Sequence, residues 1–245
     1  EDDLLALGGS ATIISATVIS GLGTATPNED GRSVTYDPGD EYNSLSMGET
    51  ASVQVSVVID LGNGTTETIT AFVTVLGIND LPTANPDTAA TNEATLISID
   101  VLNNDTDPDA NDDLVVSQAT IISGLGTVSI AAGGSAISYD PAGDYEHLSA
   151  GETAEVVIKY KVSDGNGGFS TSTATVTVTG LNDGPAFGAG DNTGQVTERA
   201  DGSGGENIAV LSSSGKIAFS DVDAGDSHEV SFEANGGDYR GTFSV

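Results

Sequence analysis

In Val156-Val157-Ile158-Lys159-Tyr160-Lys161-Val162 the even positions are apolar and both lysines are odd. Alternation with period 2 is the mark of a strand with one face buried. Ala174, Val176 and Val178 alternate with threonines in the same way, and Val53, Val55, Val57, Ile59 and Ala71, Val73, Val75 repeat the arrangement earlier in the chain. Between the paired runs stand Gly165-Asn166-Gly167 and Gly62-Asn63-Gly64. Both read as Asn-Gly hairpins, because these residues tolerate positive φ. Further strands are predicted over 94–102, 114–123, 126–131 and 135–139, with a short one after Pro86. About seven strands in about 100 residues, with few helix signals, predicts an immunoglobulin-like sandwich.

The pattern also recurs. Ile19-Ser20-Gly21-Leu22-Gly23-Thr24 returns as Ile122-Ser123-Gly124-Leu125-Gly126-Thr127, an offset of 103 residues. Tyr36–Pro82 aligns without a gap to Tyr139–Pro185, with 24 identities in 47 positions. The shared stretch includes Leu45-Ser46 … Gly48-Glu49-Thr50-Ala51 and its copy Leu148-Ser149 … Gly151-Glu152-Thr153-Ala154. Each copy closes on an Asn-Asp-x-Pro phrase, at Asn79–Pro82 and Asn182–Pro185. Such a period signals a tandem array. The expected organisation is a sandwich repeat lacking its first strand or two over 1–80, a complete one over 81–183, and a partial third over 184–245. The architecture expected is all-β, with antiparallel sandwich modules end to end. Tyr36/Tyr139 with Asp37/Asp140 also recur, and strand-end packing and a turn account for them without chemistry.

Charge changes the picture. The chain of 245 residues carries 37 Asp+Glu against 6 Lys+Arg, a formal net charge of −31. So acidic a surface repels nucleic acid and anionic membranes. No apolar run approaches the roughly 18 residues of a membrane span. The chain opens in mid-pattern, as a fragment would, so the missing signal peptide excludes nothing. There is no Cys, and His147 and His228 stand in different repeats. Thiolate and His-based metal sites and nucleophilic triads therefore have almost nothing to draw on. No enzyme is expected. His147 reads as a surface residue, and His228 has no nameable partner.

The acid is concentrated. Asn104-Asp105-Thr106-Asp107-Pro108-Asp109-Ala110-Asn111-Asp112-Asp113 has no cation near it. Carboxylates so close repel one another unless something neutralises them. Ca²⁺, which takes six to eight oxygens, fits better than Mg²⁺, which demands tighter octahedral geometry. In a sandwich the loop between the second and third strands and the last hairpin lie at one end, where the joint also arrives. Asn79, Asp80, Asp105, Asp107, Asp109, Asp112 and Asp164 are therefore predicted to meet at one module junction, and Glu93 is placed to face it. The next junction repeats the design with Asn182, Asp183, Glu198, Asp221, Asp223 and Asp226; here Phe219–Asp223 echoes Asn104–Asp107. Asp-rich loops are also ordinary solvated turns, and at Asp164 and Asn166 the hairpin alone explains the residues equally well. In the first repeat Leu61 stands at the position of Asp164, beside Asp60.

Asp100–Asp109, Val162–Gly168 and Val178–Pro185 resemble the bacterial cadherin-like repeats of large repeats-in-toxin surface adhesins. The stretches Val196-Thr197-Glu198, Ile217–Asp226 and Tyr239–Phe243 are similar to the related VCBS-type repeat. The resemblance implies a secreted, cell-anchored filament on the bacterial surface. Its repeats would bind Ca²⁺ at their junctions and hold adhesive domains away from the cell, as in biofilm formation. Neighbouring repeats of the same chain are the implied partners, in a monomeric rod, with host or bacterial surface ligands reached through other domains. Asp2-Asp3-Leu4 is read as the tail of the first repeat's own acidic loop, matching Asp112-Asp113-Leu114. Two other readings stay open: a directly adhesive module, by homophilic, glycan or host-surface binding, and accessory repeats of a secreted polysaccharide-degrading enzyme.

Overall fold

A computed structural model describes residues 3–6, 10–188 and 218–229. Apart from one short 3₁₀ turn at Ala132–Gly134, the regular elements described are strands. Among them no helix is long and apolar enough to cross a membrane. The first repeat contains β1 (Asp3–Ala6), β2 (Thr12–Ser20), β3 (Thr24–Pro27), β4 (Ser33–Asp37), β5 (Thr50–Asp60) and β6 (Thr66–Leu76). The second contains β7 (Asp87–Asn92), β8 (Ile97–Ile99), β9 (Val115–Ser123), β10 (Thr127–Ile130), β11 (Ile137–Asp140), β12 (Thr153–Ser163) and β13 (Phe169–Thr179). Bounds of β2, β3, β5 and β6 reappear 103 residues later at β9, β10, β12 and β13.

In the second repeat β10-β11-β8 form one sheet and β7-β13-β12-β9 the other. All these pairs are antiparallel except β7 with β13, which run parallel. The antiparallel expectation misses that pair, because a short strand after Pro86 runs the same way as the last strand of its module. The inward positions of β12 and β13 are fully buried: Val156, Ile158, Val162, Ala174, Val176 and Val178 are 0% exposed, and Tyr160 is 1% exposed. They form one core with Ile99, Val101, Ile137 and Tyr139.

The first repeat has the corresponding sheets β1-β4-β3 and β2-β5-β6, with its own core around Val34, Val53, Val55 and Val57. Its β6 has no second neighbouring strand among the described residues, and Ala71, Val73 and Val75 are only half-buried. β1 pairs with β4 as β8 pairs with β11. Asp3 therefore lies on the strand before the loop, opposite Thr35, and is not the tail of an acidic loop. Where β8 and β9 are joined by 15 residues, β1 and β2 are joined by five.

The recurring Gly-Leu-Gly turns are clamped by tyrosines. Tyr36 and Tyr139 hydroxyls donate to the carbonyls of Leu22 and Leu125 at 2.8 and 3.0 Å. A Cβ on Gly126 (φ +99°) would lie 2.6 Å from the Asp140 carbonyl oxygen, so this position requires glycine. The tyrosine–aspartate phrase is structural, as the sequence suggested.

Candidate metal centre

The residues preceding β7 form the first joint. Its start is held by Gly77, whose N–H donates to the Glu49 carbonyl at 2.9 Å; Gly180 does the same with Glu152 at 2.8 Å in the second joint. Beyond them, the Asp80 N–H donates to Asp109 Oδ2 at 2.8 Å and the Asp183 N–H to Asp223 Oδ2 at 2.8 Å. Asp107 Oδ1 accepts the Asp109 N–H at 2.9 Å, and Asp221 Oδ1 the Asp223 N–H at 3.1 Å. The Asn79 and Asn182 amides donate to the Asp80 and Asp183 carbonyls at 2.7 and 2.6 Å. The two junctions share one backbone and side-chain scheme.

This scheme corrects the sequence alignment by two residues. Asp221, Asp223 and Asp226 correspond to Asp107, Asp109 and Asp112, not to Asp105 and Asp107. The flanking pairings agree. Thr83 bridges Thr106 as Ala186 of β14 (Ala186–Phe187) pairs with Ser220 of β15 (Phe219–Ser220). Asp105 has no counterpart in this scheme. It accepts the Asn85 N–H at 2.7 Å, outside the Asp107 group. Burial, opposed by that bond and reinforced by the Asp87 charge, raises its pKa.

One carboxylate oxygen each from Asp107, Asp112 and Asp164 lies within 4.8 Å of the others, and the same holds for Asp221, Asp223 and Asp226. Asp109, Asp164 and Asp223 are buried, at 2%, 2% and 4% exposure. Asp107 is pushed up, first by burial and then, against the Asp109 N–H bond, by the charges of Asp109, Asp112 and Asp164. Asp164 goes the other way. Burial pushes it up, but bonds from the Asn79 amide and the Asn166, Gly168 and Gly167 N–H groups outweigh that and lower it. The hairpin places it: Gly165 and Gly167 take positive φ, while Asn166 does not, contrary to the Asn-Gly expectation. Asn166 instead spans to Asp112 Oδ1 at 2.8 Å. A Cβ on Gly168 would collide with Asp164 Oδ2 and lie 3.0 Å from Asn79 Nδ2. The first repeat has Thr65 at that position and Leu61 for Asp164, so its matching end lacks this carboxylate.

Glu93 is the main correction. It follows β7, which carries it to the opposite end of its module, and its Oε1 accepts the Leu181 N–H at 2.7 Å. It serves the second junction, not the first. Glu198 lies outside the described residues. Glu49 and Glu152 were missed. Glu49 accepts from Ser46 N at 3.1 Å and from the Asn111 amide across the first junction at 2.7 Å, and Glu152 accepts from Ser149 N at 3.0 Å. Their signal was the recurring Gly-Glu-Thr-Ala phrase. The loops carrying them also touch the next module. The carbonyls of Ser44 and His147 accept the Ala110 and Ala224 N–H groups at 3.2 and 3.4 Å. His147 is exposed, as expected, whereas His228 has a partner after all: Asp221, 3.8 Å away.

Among the described residues, nine buried side-chain oxygens have no hydrogen-bond partner: Asn79 Oδ1, Glu93 Oε2, Asp105 Oδ2, Asp107 Oδ2, Asp109 Oδ1, Asp112 Oδ2, Asp183 Oδ2, Asp221 Oδ2 and Asp223 Oδ1. Buried polar atoms are nearly always satisfied, and buried carboxylates are paired or bind metals. An oxygen-only donor set of this charge suits a hard cation that accepts six to eight ligands.

No curated protein sequence matches the chain. Among solved structures, similar chains include Drosophila N-cadherin EC1-4, at TM-score 0.42 and 16% identity over 76% of this chain and 46% of that one. Another is mouse clustered PcdhgC3 EC1-3, at TM-score 0.44 and 18% identity over 85% of this chain and 66% of that one. The chain thus spans less than half of the first and about two thirds of the second. The bacterial cadherin-like domain matches over residues 79–180, the stretch that holds β7–β13 and the first acidic loop. Over residues 79–180 the chain is thus similar to the bacterial cadherin-like domain.

Proposed function

We propose that this chain is a spacer of three successive modules, 1–80, 81–183 and 184–245, whose joints are stiffened by Ca²⁺. Its setting is a secreted adhesin on the bacterial surface, and no residue in it is catalytic. The carrying observation is the set of nine buried oxygens without a hydrogen bond, eight of them from the residues assigned to the two junctions here. Asn79, Asp80, Asp107, Asp109, Asp112 and Asp164, with Glu49, would hold the ions of the first junction. Asn182, Asp183, Asp221, Asp223 and Asp226, with Glu93 and Glu152, would hold those of the second. Without metal, carboxylates from two modules and the joint repel across each junction. With Ca²⁺ the joint backbone and both modules share ligands, and the angle between modules becomes fixed. Extracellular Ca²⁺ modules bind at about 10⁻⁴–10⁻³ M. The chain would therefore be slack in a low-Ca²⁺ cytoplasm and stiff outside.

The test is small-angle scattering and thermal melting with Ca²⁺ at a few times its dissociation constant and with chelator. A longer maximum dimension and a higher Tm in Ca²⁺ are expected. Identical curves in the two conditions would sink the reading.

A further inference from the structure

The cations of this chain are as unevenly placed as its acids. Of its 6 Lys+Arg, Lys159 and Lys161 stand two apart on the outward face of β12. That spacing puts them roughly 7 Å apart along the strand. Across the ladder Lys159 faces Thr120 and Thr173, and Lys161 faces Gln118 and Thr171. Lys161 Nζ sits 3.6 Å over the centre of the Phe169 ring, which holds that cation in place. Among the described residues neither lysine lies within ion-pair distance of a carboxylate. Glu155 is the carboxylate nearest in sequence on the same face of β12. A depression of about 190 Å³ opens here, lined by Gln118, Thr120, Lys159, Tyr160, Lys161 and Thr171. The first repeat carries Ser56, Val58 and Thr66 where the second has Lys159, Lys161 and Phe169. The platform is thus absent from the first repeat and is not needed to build the sandwich.

We propose that this sheet face is a binding site for a carboxylated polysaccharide. Two free ammonium groups at strand spacing match successive carboxylates of an acidic sugar chain, and the surrounding Gln and Thr side chains match its hydroxyls. A folded protein partner fits less well. It would need about 800 Å² on each side with several aromatic or Arg anchors, whereas the exposed aromatic beside these lysines is Phe169. The site is separate from the junction oxygens, so its failure and that of Ca²⁺ stiffening are distinguishable.

The experiment titrates the whole chain, at fixed Ca²⁺, with a galacturonate hexamer and with its methyl ester, followed by ¹⁵N NMR. Saturable shifts confined to residues 118–120, 159–161 and 169–171 are expected with the acid alone. K159S/K161V, which installs the first repeat's own residues, should weaken binding at least about tenfold, as loss of two charge-assisted contacts implies. K159R/K161R should restore it. Equal response to the ester, shifts centred elsewhere, no binding at millimolar sugar, or unchanged affinity in K159S/K161V would each overturn the proposal. So would a dimer in sedimentation that vanishes in that variant, since the face would then take a second copy. If K159S/K161V melts abnormally, the acid–ester contrast and the arginine variant still decide.

Discussion

The backbone N–H of Asp80 donates to Oδ2 of Asp109 at 2.8 Å, and the other oxygen of that carboxylate, buried with it, has no partner. One residue in the joint thereby fixes the loop of the next module, while half of the carboxylate is left for a ligand. The Asp183–Asp223 pair repeats the relation. Asp109→Ala should therefore act twice. In Ca²⁺ it should cost about 1–3 kcal/mol, the penalty of orphaning a buried partner, plus the lost metal ligand. In chelator the loss should shrink, because a buried charge disappears with it. Urea unfolding under both conditions checks this, and an equal loss in both would count against a metal at this carboxylate.

Gly168→Ala should be more damaging than a loop substitution usually is. The new methyl meets the Asp164 carboxylate and the Asn79 amide together. A loss of about 1–3 kcal/mol is expected from overpacking, with weaker Ca²⁺ binding by calorimetry. Thr65→Ala at the matching site of the first repeat should be close to neutral.

The pH response should invert with metal. Asp105 and Asp107 have pKa values raised above the ordinary 3.8 in the folded chain. A raised acid binds protons more readily folded than unfolded, so stability falls as pH rises from about 4 through the folded pKa. In chelator, acidification from pH 7 towards that window should raise the Tm. Asp164, lowered by its hydrogen bonds, contributes stability that is lost only as pH falls below that window. In Ca²⁺ the same acidification should lower the Tm, because protons compete with the ion. Melting curves at stepped pH in both buffers distinguish the two slopes.

Tyr160→Phe tests the core beneath the site. Its hydroxyl lies 2.6 Å from the Asn85 carbonyl, 2.8 Å from Asp87 Oδ2 and 3.3 Å from the Val101 carbonyl. Removing it leaves acceptors without a donor, at a cost of about 1–3 kcal/mol, read by urea unfolding.

Strand positions, turn glycines and the module period were legible because they are local. A period of 2 and an offset of 103 residues survive whatever the strands pack against. The residue types of the junction were legible too, since Asp-x-Asp spacing without cations is a local feature. Which carboxylate faces which junction was not. Glu93 goes to the far end of its module because β7 runs parallel to β13, a pairing between segments more than 80 residues apart. Asp105 drops out of the repeated set because the Thr83–Thr106 pairing, matched by Ala186–Ser220, puts Phe219 at its place in the second junction. Glu49 is brought to the joint by a backbone bond to Gly77. Alternation and spacing by themselves determined what the modules are made of and where acid gathers. Only tertiary pairing decided which acids meet, because that depends on strand direction and on contacts that cross from one module to the next.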